Sequence, residues 1–161
     1  MTIQVGDKIP SVKLQQATAD GKISDVTTDE LFAKGKVVLF AVPGAFTPTC
    51  SAKHLPGFVE KADAIRAKGV DAIACLSVND AFVMGAWAKD RGVGDKVVML
   101  ADGSGVLTRA LDLEMDAAKF GMGTRCQRFA LVAENGVVTH LAVEAPMKFE
   151  VSGAEAILGA L

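Results

Sequence analysis

A chain of 161 residues, half of them hydrophobic, is long enough to bury one continuous core, and we expect residues 1–161 to form a single domain. The net charge of −2 gives no reason to expect nucleic acid or an acidic membrane as partner, and no apolar run approaches the ~20 residues that span a bilayer. The N-terminus lacks the basic start and apolar core of a secretion signal, which predicts a cytoplasmic location. The three cysteines are odd in number and widely spaced, which fits neither a disulfide framework nor a zinc knuckle and predicts reduced thiols.

The first predicted elements are a hairpin and a short helix. Asp20-Gly21 separates two short apolar stretches, which predicts an antiparallel extension within residues 1–27. Residues 27–30 carry a capping-box pattern before an apolar pair, and Gly35 is expected to end this helix. Residues 36–42 are apolar on both alternations, as in a central strand that is covered on both faces.

The stretch PGAFTPTCS, residues 43–51, places one thiol where this strand ends and a helix begins. Pro43-Gly44 ends the strand, and Thr47-Pro48 is typical of a helix start with threonine as the N-cap. Cys50 is then expected in the first helical turn, where unpaired backbone N–H groups and the helix dipole favour a thiolate. The alternative is that Cys50 is a small, buried core residue. Threonine rather than cysteine at position 47 excludes a Cys-X-X-Cys dithiol.

A β-α-β unit is predicted around this thiol. The helical pattern runs from residue 48 to residue 68, and Pro56-Gly57 is expected to kink it. Residues 70–78 form a second buried strand, which leaves Cys50 at the carboxyl end of the first strand, where open α/β sheets bind ligands.

The rest of the chain continues the alternation of strands and helices. A strand is expected at residues 97–100, a hairpin over residues 128–141 turns at Asn135-Gly136, and residues 119–124 are expected to be irregular. Helices are predicted at three further places: after the cap Asn79-Asp80, over residues 106–111, and after a capping box that begins at Ser152.

These motifs resemble those of a known family. Residues 43–51 resemble the peroxidatic signature of peroxiredoxins, and the continuation KHLPGF, residues 53–58, is similar to the branch of mammalian type five and plant type II enzymes. The likeness covers nearly the whole chain and extends through residues 77–80, 82–84, 101–105 and 128–130. It implies a thioredoxin-like α/β fold, with a central mixed β-sheet flanked by helices and an N-terminal β extension. It also implies a thiol-dependent peroxidase that reduces hydrogen peroxide and alkyl hydroperoxides with no cofactor and no metal.

The resemblance assigns roles to the residues around the thiol. Cys50 is the peroxidatic cysteine that becomes a sulfenic acid, Thr47 is the hydroxyl that contacts it and the peroxide, and Pro43 shields it. Gly44, through its backbone N–H, and Phe46 are expected to contribute to the substrate pocket.

A cation is expected beside this thiol. Family members place the catalytic arginine immediately before the phenylalanine of the hairpin's first strand, which matches Arg128; Arg125 is the alternative, as a supporting or solvated charge. His54 lies four residues after Cys50 on the same helical face, and a structural hydrogen bond is its expected role.

Regeneration of Cys50 is the part that the motif leaves open. Many members of the type-five branch have a resolving cysteine near the C-terminus, where Val151 stands here, so the expected reductant is an external thiol, glutathione with glutaredoxin or else thioredoxin. Cys75 is expected to be an inert core thiol, although it matches a second cysteine of plant type II enzymes. Cys126 would share the face of Arg128 if that strand began early. Both stay open as secondary redox residues.

Two other functions remain possible at this point. A peroxide sensor or redox-controlled binding protein would use the same Cys50 chemistry to alter a partner, and a purely structural module would not use it. Phe82, Met84 and Trp87 are expected to pack on one face of their helix. The resemblance also implies a homodimer, and in this family such residues often approach the dimer interface.

Overall fold

A seven-stranded mixed β-sheet forms the centre of the computed structural model, which describes residues 1–161. The strands are β1 (Lys13–Ala17), β2 (Ile23–Thr27), β3 (Lys36–Ala41), β4 (Val70–Ser77), β5 (Val98–Ala101), β6 (Glu114–Asp116), β7 (Thr124–Cys126), β8 (Phe129–Glu134) and β9 (Val137–Val143). The helices are α1 (Thr28–Phe32), a π-helix (Cys50–His54), α2 (Leu55–Ala67), α3 (Ala81–Asp90), α4 (Val106–Leu111), a 3₁₀ turn (Ala118–Phe120) and α5 (Ala154–Ala160). None of the helices combines the length and apolar character that a membrane span requires.

The strand order is β2-β1-β5-β4-β3-β8-β9, with β3, β4 and β5 parallel and the outer strands antiparallel. The central strand β3 is buried on both faces, as its apolar sequence predicts. Val38 and Phe40 face a core that includes α2, α3 and α5, whereas Val37 and Leu39 face a second core that includes α1 and α4. Helices therefore cover both faces of the sheet, and the predicted thioredoxin-like fold with an N-terminal β extension is confirmed.

Two of the local predictions near the N-terminus are confirmed by hydrogen bonds. Strands β1 and β2 pair antiparallel across the turn that contains Asp20-Gly21. The Thr27 side chain caps α1 by accepting from the Glu30 N–H.

Just before Pro56, where a kink is predicted, the helix changes its type. Proline has no N–H to donate, and its ring crowds the carbonyl of the preceding turn. The chain widens into the π-helix over Cys50–His54, and the Leu55 N–H donates to the Cys50 carbonyl five residues earlier. Pro56 then lies in the first turn of α2, where a missing N–H costs nothing.

Two predictions for the second half of the chain are wrong. Residues 119–124 are not simply irregular, because they include part of a 3₁₀ turn and the start of β7, which pairs with β6 in a separate two-stranded sheet. Ser152 does not cap α5: the N-cap is Gly153, without a side-chain bond, and the Ser152 hydroxyl donates to Glu144 instead.

A β-bulge in the β8–β9 hairpin decides which residues meet at the carboxyl edge of β3. Val132 pairs with His140 but Ala133 pairs with Val138, so Thr139 is an extra residue, and its hydroxyl donates to the Val132 carbonyl. The shifted register pairs Phe129 with Val143.

The same edge gathers three separated parts of the chain. Ala41 pairs with Phe129, so Arg128 lies beside the end of β3, where residues 42–50 continue the chain. The Glu144 N–H donates to the Arg128 carbonyl at 2.9 Å. Cys50, Arg128 and Glu144 are therefore brought together by strand register.

Candidate active site

The Cys50 thiol is fully buried at the first position of the π-helix. Arg128 Nη2 lies 3.1 Å from Cys50 Sγ and donates to it. A guanidinium carries donors only, so the sulfur is the acceptor, and such a bond is strongest when the acceptor is ionised. The geometry therefore places a permanently charged donor against the sulfur.

The Arg128 guanidinium makes a second bond with the other arm of its fork. Nη1 lies 2.8 Å from His54 Nδ1, and the Phe149 ring centroid lies 5.7 Å from the guanidinium carbon. A planar guanidinium can make both hydrogen bonds at once while one of its faces contacts an aromatic ring. Arg128 is thus held from two sides while it donates to the sulfur.

His54 is fully buried and is held in one tautomer by its neighbours. Its Nε2 lies 2.9 Å from the Ser152 carbonyl, which can only accept, so Nε2 carries the hydrogen. Nδ1 is then the acceptor for Arg128. Burial first, and the Arg128 charge second, lower the pKa of His54 to about 3, so the ring is neutral. The structural hydrogen bond that was predicted for His54 is present, and its ring bonds to both the Ser152 carbonyl and Arg128.

Behind His54, a buried carboxylate organises the backbone. Glu144 is 7% exposed and accepts from four donors at 2.7–2.9 Å, which are the Ser152 hydroxyl and the N–H groups of residues 150–152. The Glu150 N–H is shared by both carboxylate oxygens. Desolvation alone would raise the pKa of Glu144, but these hydrogen bonds outweigh it and lower the pKa. The carboxylate stays ionised and fixes the segment that supplies the Ser152 carbonyl.

The loop before Cys50 is held by one internal hydrogen bond and by one hydrogen bond to Asn79. The Thr47 hydroxyl donates to the Gly44 carbonyl at 2.6 Å, and no helix N–H donates to its oxygen, so the expected N-cap bond is absent. The Ala45 N–H donates to Asn79 Oδ1 at 2.9 Å. Phe46 takes a left-handed backbone, with φ of 65°, and its ring is half exposed.

Backbone donors remain free in this loop. Neither the Gly44 N–H nor the Cys50 N–H is donated to a protein acceptor. A side chain at Gly44 would lie 3.0 Å from the Thr47 methyl and 3.3 Å from Arg125 Nη1, so only glycine fits there without displacement. Pro43 is half-buried just before it.

Arg125 does not contact Cys50. Its Nε donates to the Met122 carbonyl at 2.9 Å, and its Nη1 lies over Gly44. Of the two arginines considered from the sequence, Arg128 is therefore the one that reaches the sulfur.

The other two thiols are buried in separate places. Cys75 lies in β4 and Cys126 in β7, both are fully buried, and no disulfide is formed. The Cys126 thiol donates to the Val42 carbonyl at 3.1 Å. Burial is the main cause that raises the pKa of Cys126 to about 12 and the pKa of Cys75 well above its ordinary value, so both are neutral thiols.

This geometry agrees with the comparisons to known proteins. A sequence model of the redoxin family matches residues 4–158. The chain belongs to the redoxin family. Within it, rice (Oryza sativa subsp. japonica) chloroplastic peroxiredoxin-2E-2 is 57% identical over 99% of this chain and 73% of the relative. Arabidopsis thaliana chloroplastic peroxiredoxin-2E is 50% identical over 99% of this chain and 70% of the relative.

A solved structure extends the likeness to three dimensions. Reduced Prx3 from Vibrio vulnificus, in complex with hydrogen peroxide, has a TM-score of 0.93 and 55% identity, and the alignment covers 99% of each chain. The predicted family and enzyme class are confirmed: this peroxiredoxin is a thiol-dependent peroxidase. The prediction of a cytoplasmic location is wrong, because both plant relatives are chloroplastic.

Three features of the peroxiredoxin site were not predicted as parts of it. The Glu144 carboxylate and the Ser152 carbonyl depend on strand register and loop path, which no local pattern reveals. Asn79 was identified only as half of a helix cap, yet its side chain holds the Ala45 N–H. The one sequence pattern that pointed to this supporting layer was the i, i+4 spacing of Cys50 and His54, which predicted a structural hydrogen bond for His54.

The buried, neutral His54 predicts a pH dependence of stability. Its pKa is lowered from 6.5 to about 3, so between these values the unfolded state binds a proton that the folded state does not. Stability is therefore lost as the pH falls, and we expect the free energy of unfolding to decrease by about 2 kcal/mol from about pH 7.5 to about pH 5. The contribution of Glu144 is lost at lower pH, because its pKa lies below the ordinary 4.5.

Urea unfolding at several pH values measures this decrease. The His54→Phe variant should lose most of it, because phenylalanine has no proton to bind, whereas the matched His140→Phe variant in β9 should keep it. An equal pH dependence in the His54→Phe variant would contradict a buried neutral His54.

Proposed function

We propose that Cys50 is the peroxidatic cysteine of this peroxidase and that Arg128 is its catalytic cation. The contact of 3.1 Å between Arg128 Nη2 and Cys50 Sγ is the observation that carries this proposal. In the reaction, the thiolate attacks one oxygen of the peroxide and the O–O bond breaks. The second oxygen leaves as hydroxide or alkoxide and takes a proton from solvent to give water or an alcohol, and Cys50 becomes a sulfenic acid.

Negative charge moves onto the leaving oxygen during this step, and donors that point to it lower the barrier. Arg128 supplies one such donor. The free N–H groups of Gly44 and Cys50 are suited to the same task, because no protein group competes for them. These donors are fixed before substrate arrives, so no reorganisation is needed in the transition state.

Thr47 contacts the peroxide through its hydroxyl oxygen and does not act as the helix N-cap that its sequence position predicts. Its single hydrogen is donated to the Gly44 carbonyl, so its oxygen is available as an acceptor for the O–H of the peroxide. Pro43 and Phe46 complete the entrance to the pocket as a shield for the sulfur and a half-exposed apolar wall.

Cys50 is regenerated by an external thiol, from glutathione with glutaredoxin or from thioredoxin. The first thiolate attacks the sulfenic sulfur and displaces hydroxide, which takes a proton from solvent and leaves as water. A second thiolate then cleaves the mixed disulfide and releases the Cys50 thiolate. Val151 stands where a resolving cysteine is expected, and the burial and raised pKa values of Cys75 and Cys126 disfavour either as an attacking thiolate.

Coupled peroxide reduction with thioredoxin and glutaredoxin systems in parallel tests this function. Continued consumption of many equivalents of peroxide with at least one system is expected. A protein that takes up one oxygen and then stops with both systems would instead be a peroxide sensor.

The Cys75→Ser and Cys126→Ser variants test whether a second cysteine takes part. We expect both variants and the double variant to keep the full turnover rate per folded molecule, because regeneration uses an external thiol. Loss of turnover in either folded single variant would identify that residue as the resolving cysteine. Circular dichroism gives the folded fraction, which corrects for the polar atom placed in the core.

The protein forms a homodimer. This part of the proposal is supported by the exposed aromatic rings of Phe46 and Phe82, which are 50% and 78% accessible. The Phe46 ring centroid lies 6.4 Å from that of Trp87, which belongs to the same helix, α3, as Phe82. Sedimentation equilibrium measures the mass in solution and decides between monomer and dimer.

A further inference from the structure

We propose that Glu144 is a positioning residue that aims the Arg128 guanidinium at Cys50 through Ser152 and His54. The inference rests on the proposed roles of Cys50 and Arg128 and adds a third, buried layer to the site. Glu144 does not touch the reacting atoms. It acts by fixing which atoms of its neighbours donate and which accept.

The first step is the capture of a loop by a carboxylate. Glu144 accepts from three consecutive backbone N–H groups, at residues 150, 151 and 152, and from the Ser152 hydroxyl. An ionised carboxylate only accepts, so all four donors can point to it at once. Few other side chains at this position could satisfy four converging donors.

The second step passes from this loop to the histidine. With its N–H held by Glu144, Ser152 presents its carbonyl to His54 Nε2 at 2.9 Å. This carbonyl requires a hydrogen on Nε2 and so leaves a lone pair on Nδ1. The tautomer of His54 is therefore fixed by the loop and not by the sulfur.

The third step passes from the histidine to the arginine. The Nδ1 lone pair accepts from Arg128 Nη1 at 2.8 Å, which leaves Nη2 to donate to Cys50 Sγ. If the other tautomer formed, Nδ1–H would face Nη1–H, and the two donors would repel each other. The guanidinium would then rotate or shift away from the sulfur.

The Glu144→Gln variant tests the proposal, because glutamine removes the negative charge that attracts the four donors and places an NH₂ group against the Glu150 N–H. The rate constant for oxidation of reduced Cys50 by hydrogen peroxide is measured by rapid quench and mass spectrometry, as the gain of one oxygen, per folded molecule. We expect a loss of about tenfold or more, since small displacements of a catalytic group have effects of this size. The matched Glu155→Gln variant removes the same charge from the exposed first turn of α5 and should react like the wild type.

Two further readouts separate positioning from a merely structural role. In the His54→Phe background, adding Glu144→Gln should change the rate less than about twofold, because the connection is already cut. The nitrogen resonances of the two histidines report tautomers directly. Glu144→Gln should abolish the pure Nε2–H signature of His54 and leave that of His140 unchanged.

The outcomes are distinct. If the wild type gains no oxygen at Cys50, the proposed function itself fails. If the wild type reacts and Glu144→Gln reacts equally fast, the positioning role is overturned. It is also overturned if Glu144→Gln lowers the rate constant of Cys50 oxidation by the same factor with His54 and with phenylalanine at position 54. Should Glu144→Gln not fold, Ser152→Ala removes one of the four bonds and is judged by the same coupling to His54, with additive effects again overturning the proposal.

Discussion

Replacing Cys50 with serine is expected to reduce peroxide consumption to the background rate of the assay. A serine hydroxyl is not ionised under conditions where a thiolate forms, and oxygen cannot be oxidised to the equivalent of a sulfenic acid. The reaction therefore loses its nucleophile and its electron donor in one change. The exchange alters a single atom, and Arg128 can still donate to the new hydroxyl, so the fold is expected to survive.

Two measurements on the Cys50→Ser variant make the result decisive. Peroxide consumption is followed with the glutaredoxin and thioredoxin systems, and thermal unfolding is followed in the same buffer. Turnover in a folded Cys50→Ser protein would show that another residue carries the chemistry. The Cys75→Ser variant is the matched control, since it makes the same exchange at a second fully buried thiol.

The second large effect is expected for Arg128→Met. Methionine has a similar length and no charge, so it removes the donor to Cys50 Sγ while keeping much of the packed volume. Loss of a donor that stabilises developing negative charge costs about 10²–10³ in rate, or about 3–4 kcal/mol. We expect the rate constant of Cys50 oxidation to fall by this factor. Lysine should not restore it, because one ammonium cannot reproduce the planar fork that reaches both His54 and the sulfur.

Arg125→Met is the matched control for this prediction. Arg125 donates to the Met122 carbonyl and does not contact the sulfur, so its loss should cost at least tenfold less than the loss of Arg128. Both variants are compared by rapid quench at the same pH, with unfolding curves to report the folded fraction. Equal losses, or a larger loss at Arg125, would contradict the assignment of the cation.

Much of the fold could be predicted because its local signals agree with its tertiary structure. The apolar run of β3 predicts a strand covered on both faces, and Asn135-Gly136 predicts the β8–β9 turn, which the structure forms with positive φ at both residues. A local pattern was insufficient where a distant residue binds the same polar group. Ser152 has the pattern of a helix cap, but its N–H and its hydroxyl both donate to Glu144, and α5 begins after Gly153 instead.

The centre of the site was predictable and its support was not. Cys50 follows from a motif, and Arg128 follows from its place before a strand. The π-helix escapes a search that assumes 3.6 residues per turn, although Pro56 is its visible cause. Glu144 lies in no motif, and the direction of its side chain depends on the register of β9, which it directly follows.

This register is determined by the extra residue of the β-bulge, Thr139. An unbroken hairpin around Asn135-Gly136 would pair Arg128 with Val143, whereas the extra Thr139 moves Glu144 opposite Arg128. Thr139 is exposed and touches none of the reacting groups. The number of residues at the start of β9 thus determines which side chain lies opposite Arg128 in the buried site. If Thr139 instead paired in an unbroken ladder, the turn and the composition would stay the same, but the Glu144 carboxylate would turn toward the opposite face of the sheet.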